Sequence, residues 1–340
     1  MPEQTTLMQS FRSTIFRSVG RVATHFPRFR GQTRFFLLLF NALGLKTEHV
    51  FVDTTLTAPI AYRARLDLHS WLQRIAFLTG EYEADTVSFL LKLHASANRS
   101  GYLLDIGANV GLISIPAALL LQARQSGAPS TSPLVISVEA VADNANALRR
   151  NVELNGADRL VTVIEAALGD RIGAVEIQVE GDLAQGEGTG TANILPEGST
   201  LDPNGTYECV RVPLQLSTLD ALLEAGQLAP ACAAIKIDTD GYDLKVLQGG
   251  VRFLQESRPT IFGEFSAHCL AWHGQSIDDV VKFAGTMNYL VWQRLPGSRW
   301  QFTRETIRST FVQDLLLIPS EHAGAFAWCC ENRGVPDLEI

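Results

Sequence analysis

Nine residues, Leu103–Gly111 (LLDIGANVG), constrain this chain more than any other stretch. A hydrophobic run reads as a buried strand, delivers the carboxylate of Asp105, then turns through Gly107-Ala108-Asn109 to Gly111, where a helix begins. Gly107 permits a sharp turn with the backbone close to a ligand, and Gly111 permits tight helix–strand contact. The spacing is G-x-N-x-G, which departs from the G-x-G-x-x-G of the dinucleotide fingerprint. A buried carboxylate two residues before the first glycine is badly placed beside a pyrophosphate and well placed beside a cationic methionyl group. Electrostatics therefore favours S-adenosylmethionine over NAD as the ligand. Asp105, Gly107, Ala108, Asn109 and Gly111 are its candidate cofactor-binding residues, with a purely structural turn as the alternative.

From Gly101 onward, strand and helix patterns alternate, which predicts a doubly wound α/β domain with a mainly parallel, seven-stranded sheet. The strands are read at Tyr102–Ile106, Leu134–Glu139, Leu160–Ala166, Ala233–Asp238, Thr260–Phe265, Tyr289–Arg294 and Asp314–Pro319. Helices are read at Leu72–Leu78, Tyr82–His94, Gly111–Arg124, Asp143–Asn155, Thr218–Ala225, Tyr242–Glu256 and Ile277–Met287. Ala174–Val179 and Glu208–Leu216 suggest an antiparallel excursion. The polar, glycine-rich stretch between them (residues 181–205) reads as a loop over a site or an insertion without function. Before the domain, His49–Thr57 and Ile60–Leu68 read as a hairpin turning at Ala58-Pro59. The expected division is an extension over 1–70, a main domain over 71–320 and a tail over 321–340.

Ligands of open α/β sheets bind at the carboxyl ends of the strands, so acids there are the next candidates. Glu139 ends the second strand, where a carboxylate can accept hydrogen bonds from a ribose diol; helix capping is the alternative. Glu165 and Ala166 end the third and could address an adenine edge; a surface loop is the alternative. The segment AAIKIDTDGYDLKVLQGG (Ala233–Gly250) ends the fourth strand in Asp238, with Lys236 inside it and Asp240 before a turn at Gly241. Close carboxylates can position or deprotonate a hydroxyl, bind a divalent cation, or cap the following helix. Asp238 is the first candidate catalytic residue, with Glu264 at the end of the fifth strand and His268 just beyond it as substitutes and His273 a weaker one. Lys236, Asp240, Thr191 and Asn193 are candidate substrate-binding residues.

Charge is distributed unevenly. Through residue 46, seven basic residues face Glu3 alone, a balance of +6; with −8 for the whole chain, the remainder carries −14. The body is thus a poor match for nucleic acid. In the arm, Phe11, Ile15, Phe16, Val19, Val22, Ala23 and Phe26 recur at helical spacing among arginines, and Phe35–Leu45 is apolar but too short to span a bilayer. The arm reads either as helices packed on the body or between subunits of a homo-oligomer, or as a peripheral contact with an anionic membrane. Five cysteines without CxxC or zinc-ligand spacing fit reduced thiols in a cytoplasmic protein, and no metal site is expected.

Taken together, GEYE (Gly80–Glu83), DIGANVG, VISVEA, AALGD (Ala166–Asp170), STLD (Ser217–Asp220), IKIDTDGYDLKVLQG and RPTIFGE make the chain resemble the FkbM family of methyltransferases between about Leu72 and Phe265. The resemblance implies a Rossmann-like fold, S-adenosylmethionine as methyl donor, and O-methylation, frequently of a sugar hydroxyl in a glycan or secondary metabolite. Two positions depart from the family pattern: Glu139-Ala140 stands where Glu-Pro is frequent, and Asp238-Thr239-Asp240-Gly241 replaces D-x-E-G. A catalytically silent nucleoside-binding scaffold and an NAD-dependent oxidoreductase are the rival readings.

Overall fold

The computed structural model describes residues 15–16, 18–20, 22–23, 32–42, 50–97, 101–125, 132–180, 192–194, 209–294, 302–303 and 312–331. The sheet that organises them contains β3 (Tyr102–Ile106), β4 (Val135–Glu139), β5 (Val161–Glu165), β10 (Cys232–Ile237), β11 (Thr260–Ser266), β12 (Tyr289–Arg294) and β14 (Val312–Pro319). Their order is β5-β4-β3-β10-β11-β14-β12, with the two-residue strands β13 (Phe302–Thr303) and β15 (Cys330–Glu331) continuing the edge beyond β12. The first five run parallel; β14 lies antiparallel between β11 and β12. This is a doubly wound, Rossmann-like sheet with an inserted antiparallel strand. The chain winds outward from β3 to β5 and then crosses back to β10, so the topological switch point lies between β3 and β10. β3, β4 and β10 are buried at every residue, as strands covered by helices on both faces must be.

Helix α4 (Ser114–Arg124) follows β3, and α5 (Ala142–Leu154) follows β4. The expected helix over Tyr242–Glu256 is instead two, Asp243–Gln248 and Val251–Ser257. The break falls at Gly249-Gly250, where the backbone passes so close to Gly169 that a Cβ on Gly249 would lie 1.9 Å from its carbonyl oxygen. The short helix Ala267–Trp272, capped by Ser266 Oγ, has too few residues to show a period in the sequence. The excursion is a separate small sheet in which β7 (Gly173–Glu180) pairs antiparallel with β9 (Cys209–Ser217) and with β8 (Ala192–Ile194).

The N-terminal hairpin pairs β1 (Phe51–Leu56) with β2 (Tyr62–Asp67). Its buried side chains Leu56, Tyr62 and Leu66 join the same core as Leu103 and Val135. Asn151 of α5 and its C-cap Asn155 tie the outer strand down: Asn151 Oδ1 accepts from Arg65 N and Asn155 Oδ1 from Arg63 N, both at 2.8 Å. Asn151 Nδ2 also donates to Val110 O at 3.0 Å, so one buried amide links the hairpin to the glycine turn after β3. Replacing Asn151 with alanine strands the Val110 carbonyl and the Arg65 N–H. Chemical denaturation should show a loss of about 1–3 kcal/mol; unchanged stability would mean that the hairpin does not brace the turn.

Candidate active site

The carboxyl ends of β3, β4 and β10 surround a cavity of about 370 Å³, within the range of about 300–1,000 Å³ typical of small-molecule sites. Its walls include Asp105, Gly107, Asn109, Glu139, Asp238 and Asp240. Gly107 has φ +77°, and a Cβ there would lie 1.9 Å from the carbonyl oxygen of Asp238. The turn can therefore close only with glycine. Gly111, at φ +86°, meets Leu148 of α5 in the same way, although it does not line the cavity. Asn109, Asp240 and Glu83 all hold positive φ (49°, 50° and 40°). Such strain in non-glycine residues concentrates where a packed surrounding enforces a functional shape.

Glu139 is buried. Its Oε2 accepts from Asn109 N at 2.8 Å, and its Oε1 accepts from Val141 N at 3.1 Å and Asn144 Nδ2 at 3.3 Å. Three of about four acceptor positions are thereby filled, leaving one for a ligand hydroxyl, rather than the pair that a ribose diol would use. Burial raises the Glu139 carboxyl above its usual range, and the three hydrogen bonds oppose that rise.

Asp105 is fully buried. Ser114 Oγ donates to its Oδ2 at 2.5 Å, and Ser137 Oγ donates to Ser114 Oγ at 2.8 Å. Its Oδ1 has no hydrogen-bond partner and lies 3.5 Å from Lys236 Nζ. Lys236 also pairs with Asp238 Oδ2 at 3.3 Å and donates to Gly107 O at 3.3 Å. Burial alone would lower the Lys236 ammonium, but the charges of Asp238, Asp105 and Glu83 outweigh it and hold the group protonated. The electrostatic preference for a cation belongs to the cavity as a whole: Asp105, Glu139, Asp238 and Asp240 face Lys236, the one basic lining residue among those described.

A second group of acids lies along the carboxyl edge. The β10–β11 register pairs Ile237 with Gly263, so one residue further Asp238 stands beside Glu264; Glu264 pairs with Asp314 on β14. Arg294 neutralises Asp314 at 2.6 Å. Asp240 and Glu264 have no ion-pair partner among the described residues, and both carboxyls are pushed up to about 7 by desolvation and by the neighbouring charge of Asp238. Among the described residues, no group of three His, Cys, Asp or Glu side chains is arranged to hold a metal ion.

The remaining candidates divide. Ala108 and Ala166 line the cavity, but the Ala166 N–H is already donated to Glu139 O at 3.0 Å and is not available to an adenine ring. Glu165 points away from the cavity and pairs with Arg149 of α5 at 3.1 Å, half-exposed. His268 is exposed, edge-on to Trp272, and outside the lining; His273 packs edge-on to Tyr242. Thr191 lies outside the described residues. Asn193 is on β8, paired with Gln178, while its neighbour Ile194 reaches the cavity together with Ile177.

Three residues escaped the sequence reading. Asp243, not Asp240, organises the loop after β10: its Oδ1 accepts from Thr239 N and Oγ1 at 2.8 Å, and its Oδ2 from Gly241 N at 3.0 Å. The D-x-D-G-Y-D spacing contained this signal. Tyr82 lines the cavity, and Glu83, hydrogen-bonded to Tyr82 and Thr86, contributes its charge at Lys236 and Asp238.

The geometry tests the expected cofactor favourably. A buried carboxylate on Asp105, one open acceptor position on Glu139 and a glycine turn that no Cβ could occupy all fit a nucleoside joined to a cationic group. Fold and cavity together describe an α/β protein whose switch point carries a cavity suited to a nucleoside cofactor. The sequence model of the methyltransferase FkbM domain matches residues 105–290, more than half of the chain. The chain belongs to this family, and its methyl donor is S-adenosylmethionine. Among solved structures, methyltransferase FkbM from Methylobacillus flagellatus KT aligns at 15% identity over 87% of this chain and 76% of its own, with a TM-score of 0.35. Magnesium protoporphyrin IX methyltransferase from Synechocystis PCC 6803, with bound SAM, aligns at 11% identity over 74% and 84%, TM-score 0.37. TYW2 of M. jannaschii in complex with AdoMet aligns at 12% identity over 78% and 84%, TM-score 0.38. A search of curated protein sequences finds no match.

The raised carboxyls make a pH prediction. Asp240 and Glu264 titrate near 7 in the fold, against about 4 in an unfolded chain. The folded state therefore binds more protons between these values. The resulting stability is complete below about pH 4 and is lost as pH rises through about 7. Glu264→Gln should raise the melting temperature at pH 8 and change it little at pH 4, as read by scanning calorimetry. An equal effect at both values would contradict the assignment.

Proposed function

We propose that this chain methylates a hydroxyl oxygen, on a sugar of a glycan, glycolipid or secondary metabolite. Bound S-adenosylmethionine supplies an electrophilic methyl group. The observation that carries the proposal is Asp238: its Oδ2 is held by Lys236 at 3.3 Å, and the side chain is half-exposed at the cavity wall. A hydroxyl is a weak nucleophile, and a carboxylate placed to accept its hydrogen bond both orients the oxygen and takes its proton. Such base catalysis contributes typically ~10²–10⁴-fold.

The other roles follow from position. Asp105, Gly107, Asn109 and Glu139 hold the nucleoside end of the donor. Lys236 fixes Asp105 and Asp238 relative to each other, and Asp243 fixes the loop that carries Asp240. Ile177 and Ile194, from the excursion, give the cavity an apolar wall that helps to exclude water. The acids around Asp238 also favour an acceptor without phosphate, since Glu83, Asp240 and Glu264 would repel one. The same field disfavours a phosphodiester chain as acceptor.

Asp238→Asn should lower kcat by about 10²-fold or more with little change in S-adenosylhomocysteine affinity, because the lost group acts on the acceptor oxygen. Activity should withstand EDTA. Loss of activity in EDTA with recovery in magnesium would replace the base by a metal. Full turnover in the asparagine variant would remove Asp238 from the chemistry.

A further inference from the structure

Among the described residues, seven large apolar side chains stand exposed, and five of them lie on helices at the N-terminal side of the molecule: Val22, Phe35, Leu38, Trp71 and Leu72. These helices pack on one another. A Cβ on Gly20 would lie 2.2 Å from the ring of Phe77, and helix α1 (Gln32–Ala42) runs against α2 (Trp71–Thr79). One face is already used, since Phe16, Ala23, Phe36 and Phe40 are buried in the main core and the rings of Phe16 and Phe40 meet edge-on at 5.0 Å. The opposite face presents Val22 at 54%, Phe35 at 50% and Leu38 at 60% exposure. The arm thus both packs on the body and exposes a second set of apolar side chains.

We infer that this face docks on an anionic lipid surface. Charge identifies the occupant. The exposed apolar residues of the arm are interleaved in sequence with Arg17, Arg21, Arg28, Arg30 and Arg34, of which Arg34 is exposed, and residues through 46 carry +6 against −14 for the remainder. Apolar side chains beside arginines suit the boundary between acyl chains and anionic headgroups. An acidic body, repelled by such a surface, confines the contact to this one side. Helix α1 has eleven residues, and no helix among those described is long and apolar enough to cross a membrane, so the contact lies along the surface. Trp71 and Leu72 are both exposed and line the cavity, which places the cavity mouth beside the docking face. The inference does not depend on the nature of the acceptor.

The experiment is co-sedimentation of the full chain with phosphatidylcholine vesicles and with vesicles containing about 30% phosphatidylglycerol. Binding should favour the anionic vesicles by about tenfold or more and fall with rising salt. Phe35→Glu combined with Leu38→Glu should abolish it while leaving circular dichroism and S-adenosylhomocysteine binding unchanged, because both side chains are exposed and neither lines the cavity. Equal recovery with neutral vesicles, or none with either, overturns the proposal. So does a concentration-dependent dimer, seen by sedimentation velocity and lost in the double variant without vesicle binding, which would assign the face to a second copy of the chain.

Discussion

The ammonium of Lys236 is the point on which the site depends. It occupies the switch between β3 and β10, where it bridges Asp105 to Asp238 and reaches the carbonyl oxygen of Gly107. A buried ammonium without partners would be costly, and so would the fully buried Asp105 without it. Together they fix the separation between Asp105 and Asp238, the residues proposed to serve donor and acceptor. The glycine turn completes the arrangement, because only a residue without Cβ lets the β3 loop pass over the Asp238 carbonyl.

Around that pair the protein accumulates negative charge. Glu83, Asp240, Asp243, Glu264 and Asp314 all lie within electrostatic reach of Asp238, and within this group Arg294 offsets only Asp314 directly. Such a concentration disfavours the fold at neutral pH and is compatible with function where cationic charge arrives with the cofactor. Stability is exchanged for a field that suits a sulfonium donor.

Much of this was legible in the sequence, because its signals are local. The strand–glycine–helix pattern of Leu103–Gly111 placed Asp105 and its loop, and strand endings placed Glu139 and Asp238. What the sequence obscured depends on contacts between distant segments. Glu165 ends its strand like Glu139, but Arg149 on a neighbouring helix turns it outward. Asp240 and Asp243 share one short acidic stretch, and only the three-dimensional turn shows that Asp243 is the acceptor of its N–H groups. Tyr82 and Glu83 reach the site from before the domain's first strand, across a packing that no spacing rule encodes. The Gly249-Gly250 helix break likewise follows from the approach of Gly169.

The most direct test is the affinity for S-adenosylhomocysteine, measured by calorimetry across Asp105→Asn, Lys236→Met and the double variant, each checked for native circular dichroism. If the pair positions the donor site, each single substitution weakens binding by about tenfold or more, because it leaves a buried charge without its partner. The double variant then loses less than the sum of the two. Wild-type affinity in both singles, or losses that simply add, would contradict the account.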